Sequence, residues 1–211
     1  MKLVIVADDI SKEEFLSIGF QENIKITWLK NSMDLNNNLD ADAVIDLLFN
    51  NDESRISLLN TFMPRPVIIN SVVNTLGEIN DHFIRINGWP GFLNREIVEA
   101  ACTIDENKKE AEKLFKSLGR KTEWIKDVPG FITARIISMI INEAFLALEE
   151  KVSSKTEIDT AMKLGTNYPF GPFEWTEKIG AKNILDLLNV LSKKEKRYQP
   201  APLLIKEAKE K

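Results

Sequence analysis

KTEWIKDVPGFITARIISMIINEAFLALEEK (Lys121–Lys151) is where this chain changes character. Lys121–Lys126 reads as a short strand, alternating β-forming with polar residues. Asp127-Val128-Pro129-Gly130 stops it, because proline has no N–H for a ladder and glycine lets the chain turn. From Phe131 to about Glu150 nothing breaks a helix, and apolar residues fall nearly all round it. Such a helix is buried and needs neighbours on several sides. Arg135, Asn142 and Glu143 keep its unbroken apolar runs too short for a membrane span. A boundary is therefore predicted between residues 126 and 127, with sheet and helix before it and helix alone after it.

Toward the N-terminus, strand and helix signals alternate. Leu3–Ala7 (LVIVA), Ile24–Leu29, Ala43–Phe49, Pro66–Val73 and His82–Asn87 read as strands, the first as a strand buried on both faces. Ser11-Lys12-Glu13-Glu14 reads as a capping box opening a short helix that ends at Gly19. A second helix is predicted over Ser54–Phe62. A third is capped by Asp105 and carries Ala111, Leu114, Phe115 and Leu118 on one face before Gly119. With Lys121–Lys126 this makes six strands in a βαβ-like pattern, hence a mostly parallel sheet. Asn31–Asn38 is expected as a surface connection. Toward the C-terminus, Ser154-Lys155-Thr156-Glu157 is a capping box for a helix through Met162. A loop over Gly165–Trp175 and helices around Ile184–Leu191 and Leu203–Ala208 follow.

Composition narrows the chemistry. The 211 residues carry 32 acidic and 28 basic side chains, a net charge of −4. That balance disfavours a general nucleic-acid binder. The single cysteine, Cys102, excludes an intramolecular disulfide and a cysteine-rich zinc site, and fits a reducing compartment. The single histidine, His82, excludes an intrachain two-histidine metal site. The start, MKLVIVADD, has too short an apolar run for a signal peptide, so a cytoplasmic location is expected and no membrane partner.

Asp127–Gly180 closely resembles the C-terminal helical domain of the 3-hydroxyacyl-CoA dehydrogenases. The D-x-P-G-F opening, Asn142-Glu143-Ala144, Glu157–Gly165 (EIDTAMKLG) and Tyr168–Glu174 (YPFGPFE) carry the likeness, and Tyr198–Leu204 (YQPAPLL) extends it. The resemblance implies a Rossmann-like α/β domain over residues 1–126, with a trimmed, mostly parallel sheet. It implies an all-α, 6-phosphogluconate-dehydrogenase-like domain over 127–211, which serves as a dimerisation module in the family. A homodimer is therefore the expected assembly. The family's place in fatty acid metabolism makes an acyl-CoA the expected ligand.

The resemblance reaches back through His82–Ala101 without gaps, and there the match is uneven. Glu99 falls on the family's catalytic glutamate, whereas Asn87 stands where the family has its catalytic histidine. That reaction needs a base for the 3-hydroxyl proton while hydride leaves for the nicotinamide. An imidazole titrates near pH ~6.5 and can serve, but a carboxamide cannot. His82, five residues before Asn87, would point to the opposite strand face. The dinucleotide signature is missing as well: β-strand Leu3–Ala7 runs into Asp8-Asp9-Ile10-Ser11, and no glycine precedes Gly19. Two carboxylates there would repel a pyrophosphate. Lys30 ends the second strand, where such enzymes place an acid for the adenosine ribose. Ala134 replaces the asparagine that holds the thioester carbonyl in the family, and Thr75 lies near its contact to the substrate hydroxyl.

The expectation is a dehydrogenase-like protein with a degenerate active site that keeps acyl-CoA or partner binding. An active NAD-dependent oxidoreductase of 3-hydroxyacyl thioesters, with NAD as cofactor, is one alternative. A non-catalytic interaction protein, pairing with itself or a paralogous dehydrogenase, is another. Asp8 and Asp9 are expected to cap the following helix rather than bind a metal. Gly88-Trp89-Pro90-Gly91 is a tight strand exit or an anion-binding turn. Lys193, Lys194, Lys196 and Arg197 read as a solvated helix end. Trp124, Phe170, Phe173 and Trp175 read as packing residues.

Overall fold

The computed structural model describes residues 1–21 and 24–210, which form two compact units, Met1–Phe131 and Ile132–Lys211. The first unit is built on seven strands: β1 (Lys2–Val6), β2 (Lys25–Leu29), β3 (Ala43–Asp46), β4 (Val67–Asn70), β5 (Ile84–Ile86), β6 (Ile97–Ala101) and β7 (Lys121–Trp124). Their order in the sheet is β2-β1-β3-β4-β5-β6-β7. The first five strands are parallel to their neighbours, β6 runs antiparallel to β5, and β7 lies parallel to β6.

Apolar residues line both faces because successive side chains in a strand alternate. Leu3 and Ile5 point to one face, where Ile45, Ile68, Ile84 and Ile86 meet Phe15 of α1 (Asp9–Leu16) and Leu114 and Phe115 of α4 (Asp105–Ser117). Val4 and Val6 point to the other, where Val44, Val67 and Ile69 meet Leu59 of α2 (Glu53–Asn60) and Phe62. A 3-10 helix, Ser32–Asn38, adds Leu35 to that second face. A four-residue helix, α3 (Leu76–Ile79), completes the unit.

Three local readings are corrected. A strand over Ile97–Ala101 was not predicted, because Glu99 and two alanines mask its alternation; burial on both sides forms it nonetheless. The N-cap of α1 is Asp8, not Ser11: Asp8 Oδ1 accepts from the Ser11 N–H at 2.7 Å, and Ser11 is buried inside the helix. Aspartate is among the strongest N-caps and stands directly at the strand exit. The N-cap of α4 is Ile104, and Asp105 begins the helix. The asparagine tract forms the 3-10 helix because Asn31 Oδ1 caps it through the Met33 N–H at 2.9 Å.

Two of the buried arginines tie distant segments of this unit together. Arg120 donates to the carbonyls of Phe15, Leu93 and Leu118 and lies 4.1 Å over the Phe15 ring. Burial pushes its guanidinium down to about 10. Arg85, fully buried on β5, donates to Ser71, Asn74 and Val128 carbonyls and pairs with Asp127 at 2.6 Å.

The second unit holds five α-helices among its described residues: α5 (Thr133–Glu149), α6 (Lys155–Thr166), α7 (Pro172–Ile179), α8 (Ala181–Ser192) and α9 (Pro202–Glu210), with a 3-10 helix, Lys196–Tyr198, before α9. The Ser154–Glu157 capping box is formed, and α6 runs past Met162 until Asn167 ends it in the left-handed conformation. Asp159 reaches the α7 N-terminus, accepting from the Phe173 N–H at 2.8 Å. Gly171 permits that approach, since a Cβ there would lie 2.3 Å from Asp159 Oδ1. Phe173 packs edge-on against Phe145 and Trp175 against Phe170, the packing roles expected of them. Asn142 ties α5 to the segment before α9 through the Gln199 carbonyl and the Ala201 N–H. No helix among the described residues is long and apolar enough to cross a membrane.

Candidate functional site

The strand order reverses direction at β1: β2 lies on one side and β3 on the other. In open α/β sheets, ligands gather outside the carboxyl ends of the strands near such a point. At that edge of the first unit stand Asp8 and Asp9 after β1, Lys30 after β2, Leu47 after β3, Asn70 on β4 and Asn87 after β5.

Asn87 and Glu99 are brought together. β6 pairs with β5, so the Asn87 N–H donates to the Glu99 carbonyl at 3.1 Å, and Asn87 Nδ2 donates to Glu99 Oε2 at 3.0 Å. Both side chains are buried. Asn87 Oδ1 faces the Trp89 N–H at 3.4 Å. Next to them, Asn70 accepts from the Gly88 N–H and donates to the carbonyls of Leu47 and Gly88. Gly88 is required there, because a Cβ would meet Asn70 Cγ at 2.9 Å. The Trp89–Phe92 turn closes through the Phe92 N–H and the Trp89 carbonyl. Its Gly91 N–H points at both carboxylate oxygens of Glu14, on α1, at 2.8 and 2.7 Å. Arg95 stacks 4.3 Å over Phe92. Burial lowers its pKa, while the charges of Glu99 and Glu14 pull it back up.

The acids after β1 are engaged within the chain. Asp8 caps α1, and Asp9 pairs with Lys30 at 2.7 Å, an ion pair that holds the Asp9 carboxyl below its ordinary value. Among the described residues no group of three or more His, Cys, Asp or Glu could hold a metal ion. Thr75 is half-buried and caps α3, its N–H donating to Glu78 Oε2 at 2.8 Å and its hydroxyl at 3.1 Å. His82 is exposed and precedes β5, while Asn87 follows it, so the two stand at opposite ends of one strand. Ala134 is fully buried in α5 of the second unit. Lys193, Lys194, Lys196 and Arg197 are exposed, and Arg197 donates to the Tyr198 hydroxyl at 3.0 Å. Trp124 donates to Glu112 at 2.6 Å while packing on the sheet's core.

The sequence reading did not single out Asn70, Glu14 or Arg85. A glycine immediately after Asn87 is the one sequence sign of Asn70's close approach. Glu14 and Arg85 act through contacts 77 and up to 43 residues away, which no local pattern records.

Residues 130–211 match the family model described as the 3-hydroxyacyl-CoA dehydrogenase C-terminal domain. The 3-hydroxyadipyl-CoA dehydrogenase of Escherichia coli is 42% identical over 110 residues, covering 51% of this chain and 23% of that protein. The mitochondrial hydroxyacyl-coenzyme A dehydrogenase of Rattus norvegicus is 32% identical over 184 residues, covering 86% of this chain and 54% of that protein. The chain thus spans from about a quarter to about half the length of these relatives. A crystal structure of (S)-3-hydroxybutyryl-CoA dehydrogenase from Ralstonia eutropha superposes with a TM-score of 0.71 at 22% identity, covering 97% of this chain and 92% of that one. That likeness establishes the shared architecture, a Rossmann-like sheet domain followed by a helical domain. Residues 130–211 are thus similar in sequence to the C-terminal domain of the 3-hydroxyacyl-CoA dehydrogenases.

Proposed function

We propose that this chain is a 3-hydroxyacyl-CoA dehydrogenase homologue that retains an acyl-CoA-like or partner-binding role and has lost ordinary dehydrogenase turnover. The observation that carries this reading is the Asn87–Glu99 pair: a carboxamide is hydrogen-bonded to the carboxylate at 3.0 Å, where the family needs an imidazole. An amide nitrogen has no basic lone pair at neutral pH, so Asn87 can orient a hydroxyl or carbonyl but cannot take its proton as an imidazole would. His82 does not substitute. Five residues at roughly 3.3 Å each separate it from Asn87, at the other end of β5.

The residues present do not fit NAD. At the end of α1 that would receive a phosphate, the Ser11 N–H is bonded to the chain's own Asp8 carboxylate, and Lys30, in place of a ribose-binding acid, is paired with Asp9. Ala134 offers no amide to a thioester carbonyl, which leaves the thioester's remaining contacts to hold it. The assembly proposed is a homodimer through the helical unit, in the cytoplasm.

Mixing the protein with acetoacetyl-CoA and NADH separates the readings. Absorbance at the nicotinamide band stays constant, and the thioester alone raises the melting temperature. Turnover would establish the active-enzyme reading instead. No response to the thioester would leave the interaction-protein reading.

A further inference from the structure

We infer that the pyrophosphate position of this fold is filled from within: the Asp8 carboxylate occupies the phosphate-receiving end of α1, and the edge around it is closed to dinucleotides. The proposal uses the family reading only to say where a nucleotide would lie.

Four observations carry it. A phosphate at a helix N-terminus is held by first-turn N–H groups that no internal carbonyl satisfies. In α1 the last of these, the Ser11 N–H, is taken by Asp8 Oδ1 at 2.7 Å. The next side chain, Asp9, places a second carboxylate in the first turn. Lys30, at the end of β2, is paired with it at 2.7 Å. An incoming pyrophosphate would thus meet two carboxylates, with Lys30 already matched to Asp9 and Lys12 the other cation whose charge reaches it. Thirdly, the chain enters α1 through Asp8 in an extended conformation, φ −79° and ψ 176°. No glycine turn draws the backbone aside to make room. Fourthly, the far end of the same helix is anchored, with Glu14 bound to the Gly91 N–H through both oxygens. The helix is capped at its start and tied near its end without any ligand.

The filled position makes α1 independent of nucleotide, which can be measured. The full-length chain is titrated separately with NADH and with inorganic pyrophosphate, following melting temperature and nicotinamide fluorescence. No change is expected from either probe at millimolar concentration. Asp8→Gly combined with Asp9→Asn vacates the Ser11 N–H, removes both charges and frees Lys30, and glycine is a tolerated N-cap. This variant is expected to gain salt-sensitive pyrophosphate binding, tighter than the parent by about tenfold or more. Asp9→Asn alone alters an exposed side chain with no capping role, and gives a smaller gain in the same direction even where the double variant fails to fold. NADH binding to the parent chain overturns the inference. So does a folded Asp9→Asn chain, or a folded double variant, that gains no pyrophosphate response. The thioester response is read in a separate titration, so failure here and failure of the acyl-CoA reading remain distinguishable.

Discussion

A buried carboxylate needs hydrogen-bond donors, and Glu99 receives one from the Asn87 side chain at 3.0 Å. Replacing Asn87 by leucine keeps the volume close but removes that donor. A cost of about 1–3 kcal/mol is expected, read as a lowered urea midpoint with an unchanged slope. Asn87→His places an imidazole beside Glu99 but leaves the nucleotide edge unchanged. The variant is expected to show no NADH-dependent reduction of acetoacetyl-CoA above the parent chain, followed by absorbance. Reduction by this single variant would show that only the base had been missing. Asp46 and Arg55 form the other decisive pair at this scale, bidentate at 2.6 and 2.7 Å and almost fully buried. Burial raises the Asp46 pKa despite its partner. Arg55→Met strands that carboxylate in the core and should cost about 3–5 kcal/mol, while adding Asp46→Leu should recover much of the loss.

At the scale of elements, α6 offers a pH test because its capping box is well formed. Glu157 accepts from the Ser153 hydroxyl and from the Ser154 hydroxyl and N–H, and these bonds bring its carboxyl down to about 2. A carboxyl lower in the folded state than in the unfolded chain stabilises above the unfolded value of 4.5, and that contribution fades as pH falls toward 2. Glu157→Gln should therefore lower the melting temperature at pH 7 and narrow the gap to the parent as the solution is acidified. A gap that stays constant with pH would refute the charge-based account. Elements of this kind were legible in advance: the box at Ser154–Glu157, the strand Leu3–Ala7 and the buried helix from Phe131 each announce themselves by local pattern. β6 was not, because its identity comes from lying between β5 and β7 rather than from its own alternation. At α1 the sequence offered two caps, Ser11 in a capping box and Asp8 at the strand exit, and the strand exit decides for Asp8. At the site, Asn87, Glu99, Asp8 and Asp9 could be named from sequence. Asn70, Glu14 and Arg85 could not, because each works through a distant backbone group.

At the scale of the whole molecule, the helical unit presents apolar surface that its own fold leaves open. Ile132 and Ile136, four residues apart at the start of α5, are 49% and 52% exposed, and Leu164 on α6 is 83% exposed. The same α5 buries Ala134, Ile137, Ile141 and Phe145 on its inner side. A helix apolar on one face satisfies its needs within the unit, whereas one apolar on two faces requires a second surface. A second copy supplies that surface most simply, because a twofold contact lets each α5 present the same patch to the other. The chain is accordingly expected to have twice its monomer mass by light scattering. Ile132→Glu with Ile136→Glu places charge in the contact without disturbing the inner face. That variant should run as a monomer while keeping its helical circular dichroism. A parent chain that is monomeric at micromolar concentration, or a double-glutamate variant that remains dimeric, would remove this face as the assembly surface.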